Sequence, residues 1–189
     1  MSDRPGFAIG IDVGGTTIKA GRVTPRGVVS GQLVMPSLAD QGPEAVLAQA
    51  AKAAGEAARG SGGEACAGIG VGIPGIVSGE DGRVRYPPNF ASWGDVDVTA
   101  FLRGKTGLTV VTENDANCAA LAEARFGAGG REKNFIFVIW GTGVGGGIIL
   151  DGKIFRGPGG GAGEIGHVTI DRNGPQCKCG NRGCVESYI

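Results

Sequence analysis

The sequence predicts an α/β fold built from two related units. Val- and Ile-rich runs of strand length alternate with Ala-rich runs of helix length along the chain. The 39 glycines among 189 residues cluster at the ends of the Val- and Ile-rich runs, where turns and ligand loops occur. A strand, a glycine turn with threonine and a second strand occur near residue 12 and again near residue 141. Two copies of one α/β unit facing each other across a cleft would place both turns against one ligand.

The first half of the chain reads as a strand meander followed by alternating helices and strands. The predicted elements are strands over 7–13, 18–23, 28–35, 66–77, 82–89 and 108–112 and helices over 43–59 and 98–105. The first helix begins with Pro43 and is followed by Gly60, which are typical boundary residues. Pro74 interrupts the strand over 66–77, because proline cannot donate to a sheet ladder.

The second half begins the pattern again after a glycine-rich break at 127–133. The predicted elements are a helix over 116–126 and strands over 135–140, 148–150 and 153–155. We therefore expect a first domain over 1–130 and the start of a second over 131–189. A helix that begins near Val185 would still be running at Ile189, so the second domain is expected to be partial.

Composition excludes several classes of function. Eighteen basic and eighteen acidic residues leave no net charge, which argues against nucleic acid or an anionic membrane as a partner. The longest apolar run, near 135–140, is too short to span a bilayer. The amino-terminal residues lack the basic and apolar regions of a secretion signal, so a cytoplasmic location is expected.

The first glycine turn, D-V-G-G-T-T-I-K, has the donors that a phosphate tail requires. Glycine lets the backbone N–H groups approach an anion closely, and hydroxyl and ammonium groups lie in the same stretch. Asp12 at the strand end is suited to hold a water on Mg²⁺, the usual companion of nucleotide phosphates. A hairpin turn without a ligand is the alternative for this stretch alone. The candidate phosphate-binding residues are Asp12, Gly14, Gly15, Thr16, Thr17 and Lys19.

The second glycine turn, at 141–147, formally matches the dinucleotide fingerprint G-x-G-x-x-G. That fingerprint requires a helix to begin at its last glycine, whereas Ile-Ile-Leu-Asp-Gly-Lys follows here and predicts a strand and a hairpin. A dinucleotide fold is therefore rejected. The chain also has no G-x-x-x-x-G-K-[ST], the usual loop of P-loop nucleotidases.

Polar residues at the junction of a strand and a helix, Glu113-Asn114-Asp115, supply a candidate general base. A carboxylate at a helix amino terminus stays ionised and can accept a proton from an attacking hydroxyl. A helix cap is the alternative, and both roles are compatible if one residue caps and another faces the ligand.

The stretch from Glu164 to Glu186 predicts a metal site. His167, the chain's only histidine, together with Cys177, Cys179 and Cys184 forms a Cys₃His set, the ligand mixture that tetrahedral zinc prefers. One disulfide with a spare thiol, or three packed thiols, are the alternatives. The disulfide requires an oxidising compartment, to which nothing in the amino-terminal sequence directs the chain.

The ordered set of motifs resembles the ROK group (repressors, open reading frames and sugar kinases), and within it the bacterial glucokinases. It comprises D-V-G-G-T-T-I-K, G-I-P-G, P-P-N-F-A-S-W, E-N-D-A-N, G-T-G-V-G-G-G, G-E-I-G-H and C-K-C-G-N-R-G-C-V-E. The resemblance implies an actin-like ATPase fold of two ribonuclease-H-like domains. It also implies ATP-dependent phosphorylation of a hexose, most simply glucose to glucose 6-phosphate, with Mg²⁺, a structural Zn²⁺ and a homodimer at full length.

The resemblance assigns roles position by position. Asp115 is the implied catalytic base, and His167, Cys177, Cys179 and Cys184 are the implied zinc ligands. The implied sugar-binding residues are Gly75, Asn89, Asn114, Asp115, Glu164, His167 and Glu186. The implied phosphate loops are Gly14 to Thr17 and Gly141, Thr142 and Gly143.

Three other functions are alternatives to glucose phosphorylation, and the sequence argues against one of them. A kinase for N-acetylmannosamine, N-acetylglucosamine, allose or fructose shares all of these motifs. A sugar-responsive repressor would need an amino-terminal winged helix-turn-helix, for which the few residues before the first strand leave no room. A sugar- or zinc-binding module without catalytic activity is the third, since family kinases continue well past Glu186.

We expect the 189 residues alone to phosphorylate sugars poorly or not at all, because the part that binds adenine in the family would follow Ile189. A coupled assay of the purified chain with ATP and a hexose measures this. Robust ATP-dependent turnover would contradict the expectation.

Overall fold

The computed structural model describes residues 6–141 and 143–189. The contacts divide the chain into two compact units, one up to Asp115 and one from Ala116 to Ile189. The first unit contains β1 (Phe7–Val13), β2 (Thr17–Val23), β3 (Val29–Pro36), α1 (Pro43–Ala58), β4 (Cys66–Ile73), β5 (Ile76–Val77), β6 (Arg83–Arg85), β7 (Asp95–Asp97), α2 (Val98–Thr106) and β8 (Val110–Asn114). The helix α3 (Asp115–Phe126) begins at the last residue of this unit.

A five-stranded sheet in the order β3-β2-β1-β4-β8 forms the centre of the first unit. Its central strand β1 buries every second residue from Phe7 to Val13, as expected for a strand with one face in the core. The helix α1 packs on β1, β2 and β3 through a stripe of buried residues at helical spacing. That stripe consists of Val46, Leu47, Ala50, Ala53, Ala54 and Ala57.

Three parallel strands bring distant polar residues to one edge of this sheet. The strand β1 pairs in parallel with β4, and β4 pairs in parallel with β8. Asp12 lies opposite Gly72, and Gly72 lies opposite Glu113. Because the carboxyl ends of parallel strands meet at the same edge, this edge is where ligands of such sheets bind.

The second unit is a three-stranded antiparallel sheet with α3 packed on it. Its strands are β9 (Phe135–Trp140), β10 (Val144–Leu150) and β11 (Lys153–Phe155), in the order β11-β10-β9. A Cβ atom added to Gly147 would lie 2.5 Å from the Cβ of Ala120, so only glycine allows this close approach. Single 3₁₀ turns follow at Ile165–His167 and Val185–Tyr188.

The structure confirms the α/β class and most predicted elements of the first unit, and it corrects three details. Residues 145–147 lie in β10 rather than in a glycine loop. The predicted strand over 82–89 shortens to β6, since Tyr86 has a positive φ of 53° and Pro87 follows it. The helix predicted near Val185 is one 3₁₀ turn.

The division of the chain differs from the predicted domain boundary. Contacts separate the units after Asp115, whereas the sequence predicts domains over 1–130 and 131–189. The reason is α3, whose residues Ala116 and Ala120 pack against glycines of β10. The functional domain assignment stays a prediction. Among the described residues, no helix is both long and apolar enough to cross a bilayer.

We expect Gly147→Ala to destabilise the second unit by about 1–3 kcal/mol, because the new methyl group would overlap Ala120 and force α3 from the sheet. Gly70→Ala is the matched control, since Gly70 also lies in a strand but a Cβ there meets nothing within 4 Å. Urea unfolding followed by circular dichroism measures both. Equal midpoints for the two variants would contradict this packing.

Candidate functional site

The first glycine turn connects β1 to β2 at the polar edge of the sheet. The N–H of Gly14 donates to the carbonyl of Thr17 at 2.9 Å and closes the turn. Asp12 and Lys19 lie directly opposite each other on the two strands, and Lys19 Nζ is 3.3 Å from Asp12 Oδ2. Both side chains are more than half exposed, so this pair contributes little stability and both groups are accessible to a ligand.

Asn89 lies against the first glycine turn. It has a left-handed backbone with φ 67°, which asparagine tolerates better than most residues. A Cβ on Gly15 would lie 3.2 Å from the Cβ of Asn89, so the two segments touch. An open cavity of about 580 Å³ lies here, lined by Gly15, Thr16, Pro36, Ser37, Leu38, Ala39, Asp40, Asn89 and Ala91. The structure thus brings a predicted sugar residue to a predicted phosphate turn.

Gly75 and Asn114 form a second contact at the same edge. Asn114 donates from Nδ2 to the carbonyl of Gly75 at 3.1 Å. Gly75 has φ 105°, and a Cβ there would lie 2.8 Å from the carbonyl oxygen of Arg85 and 2.9 Å from Pro87 Cα. No side chain fits at this position. Asn114 therefore fixes the turn after β4 to the end of β8.

Asp115, the predicted base, is the exposed first residue of α3. The positive end of the helix dipole favours its ionised form, as general base chemistry requires. Its neighbour Glu113 is buried, and Glu113 Oε1 accepts from the N–H of Asn114 at 2.8 Å. Glu113 thus satisfies a backbone donor at the strand-to-helix junction, a role the sequence prediction did not assign.

Glu186 lies on the second glycine turn. Its Oε2 accepts from the N–H of Val144 at 2.8 Å and lies beside Gly143. A small cavity of about 90 Å³ is lined by Trp140, Gly141, Gly143, Val144, Glu186 and Ile189. A predicted sugar residue and a predicted phosphate loop are again adjacent. Thr142, also predicted for this loop, lies outside the described residues.

The four candidate metal ligands come together in the second unit. One ligand atom from each of His167, Cys177, Cys179 and Cys184 lies within 4.8 Å of the others. Cys177 Sγ is 3.6 Å from His167 Nδ1, and Cys179 Sγ is 3.7 Å from Cys184 Sγ. Tetrahedral ligands about 2.3 Å (sulfur) and about 2.0 Å (nitrogen) from one zinc ion lie roughly 3.5–3.8 Å apart. The donor set and its spacing therefore fit zinc.

Two of the thiols have strongly perturbed acidities. A hydrogen bond from the backbone of Cys179 lowers the pKa of Cys177 to about 6, which favours the thiolate that binds metals. Burial raises the pKa of Cys184 to about 11, since a thiolate there loses its hydration. The five cysteines all lie among the described residues, and none of them forms a disulfide there. A cation at the centre of the cluster would stabilise both thiolates.

Two isolated backbone bridges support the segment that carries the candidate metal ligands. Thr169 pairs with Cys184 and Gln176 with Arg182 in isolated antiparallel bridges. The side-chain amide of Gln176 donates to the carbonyls of Gly180 and Asn181, both at 3.1 Å. Positions of the cysteines are therefore set by backbone and amide hydrogen bonds.

His167 connects the metal cluster to a carboxylate. Its Nδ1 faces Cys177, whereas its Nε2 lies 4.0 Å from Glu164 Oε2. One ring nitrogen is thus available to a metal and the other lies toward a predicted sugar residue. Within this unit the structure groups Glu164 with His167 and places Glu186 on the glycine turn.

Comparisons with known proteins identify the family of this chain. The model of the ROK family matches residues 8–189. A glucokinase of Thermotoga maritima is 40% identical over 179 residues, which cover 95% of this chain and 56% of that protein. A xylose repressor of Bacillus subtilis is 43% identical over 121 residues, which cover 64% of this chain and 31% of that protein.

A solved structure shows the same fold. The ROK family glucokinase from Streptomyces griseus, in complex with glucose and AMPPNP, superposes with a TM-score of 0.86 at 36% identity. The superposition covers 97% of this chain and 57% of that one, so the chain spans little more than half the length of its kinase relatives. The predicted actin-like ATPase fold is confirmed. From the family match over residues 8–189 and these likenesses, the chain belongs to the ROK family.

Proposed function

We propose that this chain carries part of a kinase that transfers the γ-phosphoryl group of ATP to the 6-hydroxyl of a hexose, most simply glucose. The observation that carries the proposal is the shared sheet edge of the first unit. Asp12 at the end of β1, Gly75 after β4 and Asp115 after β8 follow three neighbouring parallel strands. The proposed proton acceptor and the proposed phosphate-binding turn therefore lie at one edge, an arrangement that supports phosphoryl transfer.

The roles of the side chains follow from their chemistry. Asp115 would take the proton from the attacking hydroxyl, and Asn89 and Asn114 would orient the sugar ring through hydrogen bonds. The backbone N–H groups of Gly14 to Thr17 would bind phosphate oxygens. Glu164, His167 and Glu186 are proposed to bind sugar hydroxyls, and Gly141 to Gly143 the phosphates.

Asp12 is the residue proposed to hold Mg²⁺, directly or through a water. Its carboxylate is accessible and its oxygen chemistry suits magnesium. When bound, the ion neutralises charge on the phosphate oxygens. Lys19, 3.3 Å from Asp12, would offer a second positive group to the same phosphates.

A structural Zn²⁺ is proposed for His167, Cys177, Cys179 and Cys184. Their spacing and ligand chemistry support a closed tetrahedral site without an open position for a reacting water. The ion would hold His167 in one orientation and cross-link the turn at Ile165–His167 to the cysteine loop. A cytoplasmic location is also proposed, together with a homodimer at full length, which the resemblance to the family implies.

A second candidate function is the sugar-sensing part of a transcriptional repressor. Xylose repressors from Bacillus subtilis and Caldicellulosiruptor bescii match 64% of the chain at 43% and 44% identity. Such a protein needs sugar binding but no proton acceptor. Phosphoryl transfer is therefore the property that separates the two candidates.

Replacing Asp115 with asparagine is expected to lower kcat by about 10²–10⁴-fold, since the amide cannot accept the proton. A version of the protein extended to the length of its relatives is assayed with ATP and a panel of glucose, N-acetylmannosamine, N-acetylglucosamine, allose and fructose. The hexose that turns over fastest identifies the substrate.

Asp97→Asn is the matched control, because Asp97 caps α2 through the N–H of Ala100 at 2.7 Å and asparagine caps equally well. This control should retain full activity. An Asp115→Asn variant as active as wild type would refute the assigned base. Absence of turnover with every hexose would refute the kinase and favour the sensor.

One zinc per chain is expected in the purified protein, and Cys184→Ser should remove it, because loss of one buried thiolate opens the tetrahedral site. Metal analysis by mass spectrometry measures the stoichiometry, and thermal melting should show a lower midpoint for the variant. Cys66→Ser is the control and should retain the metal, since Cys66 lies outside the cluster. A folded wild type without metal would contradict the site.

A further inference from the structure

A buried serine, Ser37, donates two hydrogen bonds to the first glycine turn. Ser37 follows β3 directly and is 1% exposed. Its hydroxyl donates to the carbonyl of Gly15 at 2.8 Å, and its N–H donates to the carbonyl of Thr16 at 3.0 Å. Two successive carbonyl groups of the turn are therefore fixed by one residue.

These two hydrogen bonds set the direction of the neighbouring amides. In a planar trans peptide the C=O and N–H bonds point in opposite directions. Because the carbonyls of Gly15 and Thr16 point toward Ser37, the N–H groups of Thr16 and Thr17 point away from it. A further hydrogen bond, from the N–H of Gly14 to the carbonyl of Thr17, closes the base of the turn.

We propose that Ser37 is a positioning residue for the phosphate tail of a nucleotide. Its hydroxyl keeps the N–H group of Thr16 aligned beside that of Thr17, which the backbone N–H of Ser37 aligns, so that the two form a pair of donors for phosphate oxygens; Ser37 itself does not touch the phosphate. Donors that are already oriented need no rearrangement when the anion binds, which makes them more effective than mobile ones. The inference deepens the proposed function and rests on its assignment of the turn to phosphate binding.

The contribution of the Ser37 hydroxyl can be tested separately from that of the Ser37 backbone N–H. Ser37→Ala removes only the bond to Gly15, since the backbone N–H to Thr16 remains. The peptide between Gly15 and Thr16 then loses its buried partner and is free to rotate toward water. Ser37→Thr retains a hydroxyl and should restore the alignment, whereas Ser37→Cys keeps the size with a weaker donor.

The test is a titration of the 189-residue chain with magnesium tripolyphosphate, followed by the amide NMR signals of Thr16 and Thr17. In the wild type both signals should shift with one dissociation constant. Ser37→Ala should weaken binding about fivefold or more, which corresponds to one neutral hydrogen bond. Ser37→Thr should return the constant to near the wild-type value, and Ser37→Cys should lie between.

Thr106→Ala controls for a general loss of stability. Its hydroxyl also donates to a backbone carbonyl, that of Leu102 at 2.7 Å, but it lies at the end of α2. This variant should bind tripolyphosphate as the wild type does. If Ser37→Ala does not fold, the affinities of the other two variants for tripolyphosphate decide the proposal. Tighter binding by Ser37→Thr than by Ser37→Cys supports it, and equal or reversed affinities contradict it.

Two results would overturn the inference. One is unchanged binding in Ser37→Ala, or a loss equal to that of Thr106→Ala. The other is the absence of any shift at Thr16 and Thr17 with millimolar probe. Failure of the kinase assay is a distinct outcome, because a repressor-like chain lacks turnover while this titration still reports on phosphate binding at the turn.

Discussion

The parallel pairing of β1, β4 and β8 is the constraint on which the first unit's candidate site depends. The strands β1 and β8 contribute polar residues at their carboxyl ends, β4 contributes the turn at Gly75, and the register places Asp12, Gly72 and Glu113 in a row. Buried core side chains such as Ile11 and Val71 maintain this pairing. A one-residue slip of β8 would move its inward residues to the opposite face and take Asn114 away from Gly75.

Glycine serves two different purposes in the second repeat of the motif. Gly143 lies in the turn, where the carboxylate of Glu186 contacts the backbone. Gly145 and Gly147 lie in β10 and let α3 approach the sheet through Ala116 and Ala120. The glycine stretch 141–147, which the sequence predicts as one loop, therefore forms a turn at its start and a helix-packing surface in β10. Asp115 is the first residue of the same helix. Packing of the later helix residues therefore also restrains the backbone of the proposed base.

Local patterns in the sequence were sufficient to predict most elements of the first unit and the grouping of the four candidate metal ligands. Alternating Val and Ile gave β1, and Pro43 with its alanines gave α1, since both signals depend on near neighbours. Long-range contacts were not predictable in this way. Glu186 and Val144 are 42 positions apart, and Ser37 is a single hydroxyl after a strand that belongs to no motif. The contact-based division after Asp115 likewise depends on a long-range feature, namely which sheet α3 covers.

The proposed roles of the polar groups are compatible with the likeness of this chain to both glucokinases and xylose repressors. In the second unit, His167 lies between the thiols and Glu164, so a metal on Nδ1 would leave Nε2 protonated as a donor. That donor would serve sugar recognition whether or not phosphoryl transfer follows. The proposed base Asp115 and the turn held by Ser37 belong to the first unit, and the proposed function requires both of them for phosphoryl transfer. Loss of the proposed transfer groups would therefore leave the sugar contacts proposed for the second unit intact, and a kinase of this design would become a sensor without refolding that unit.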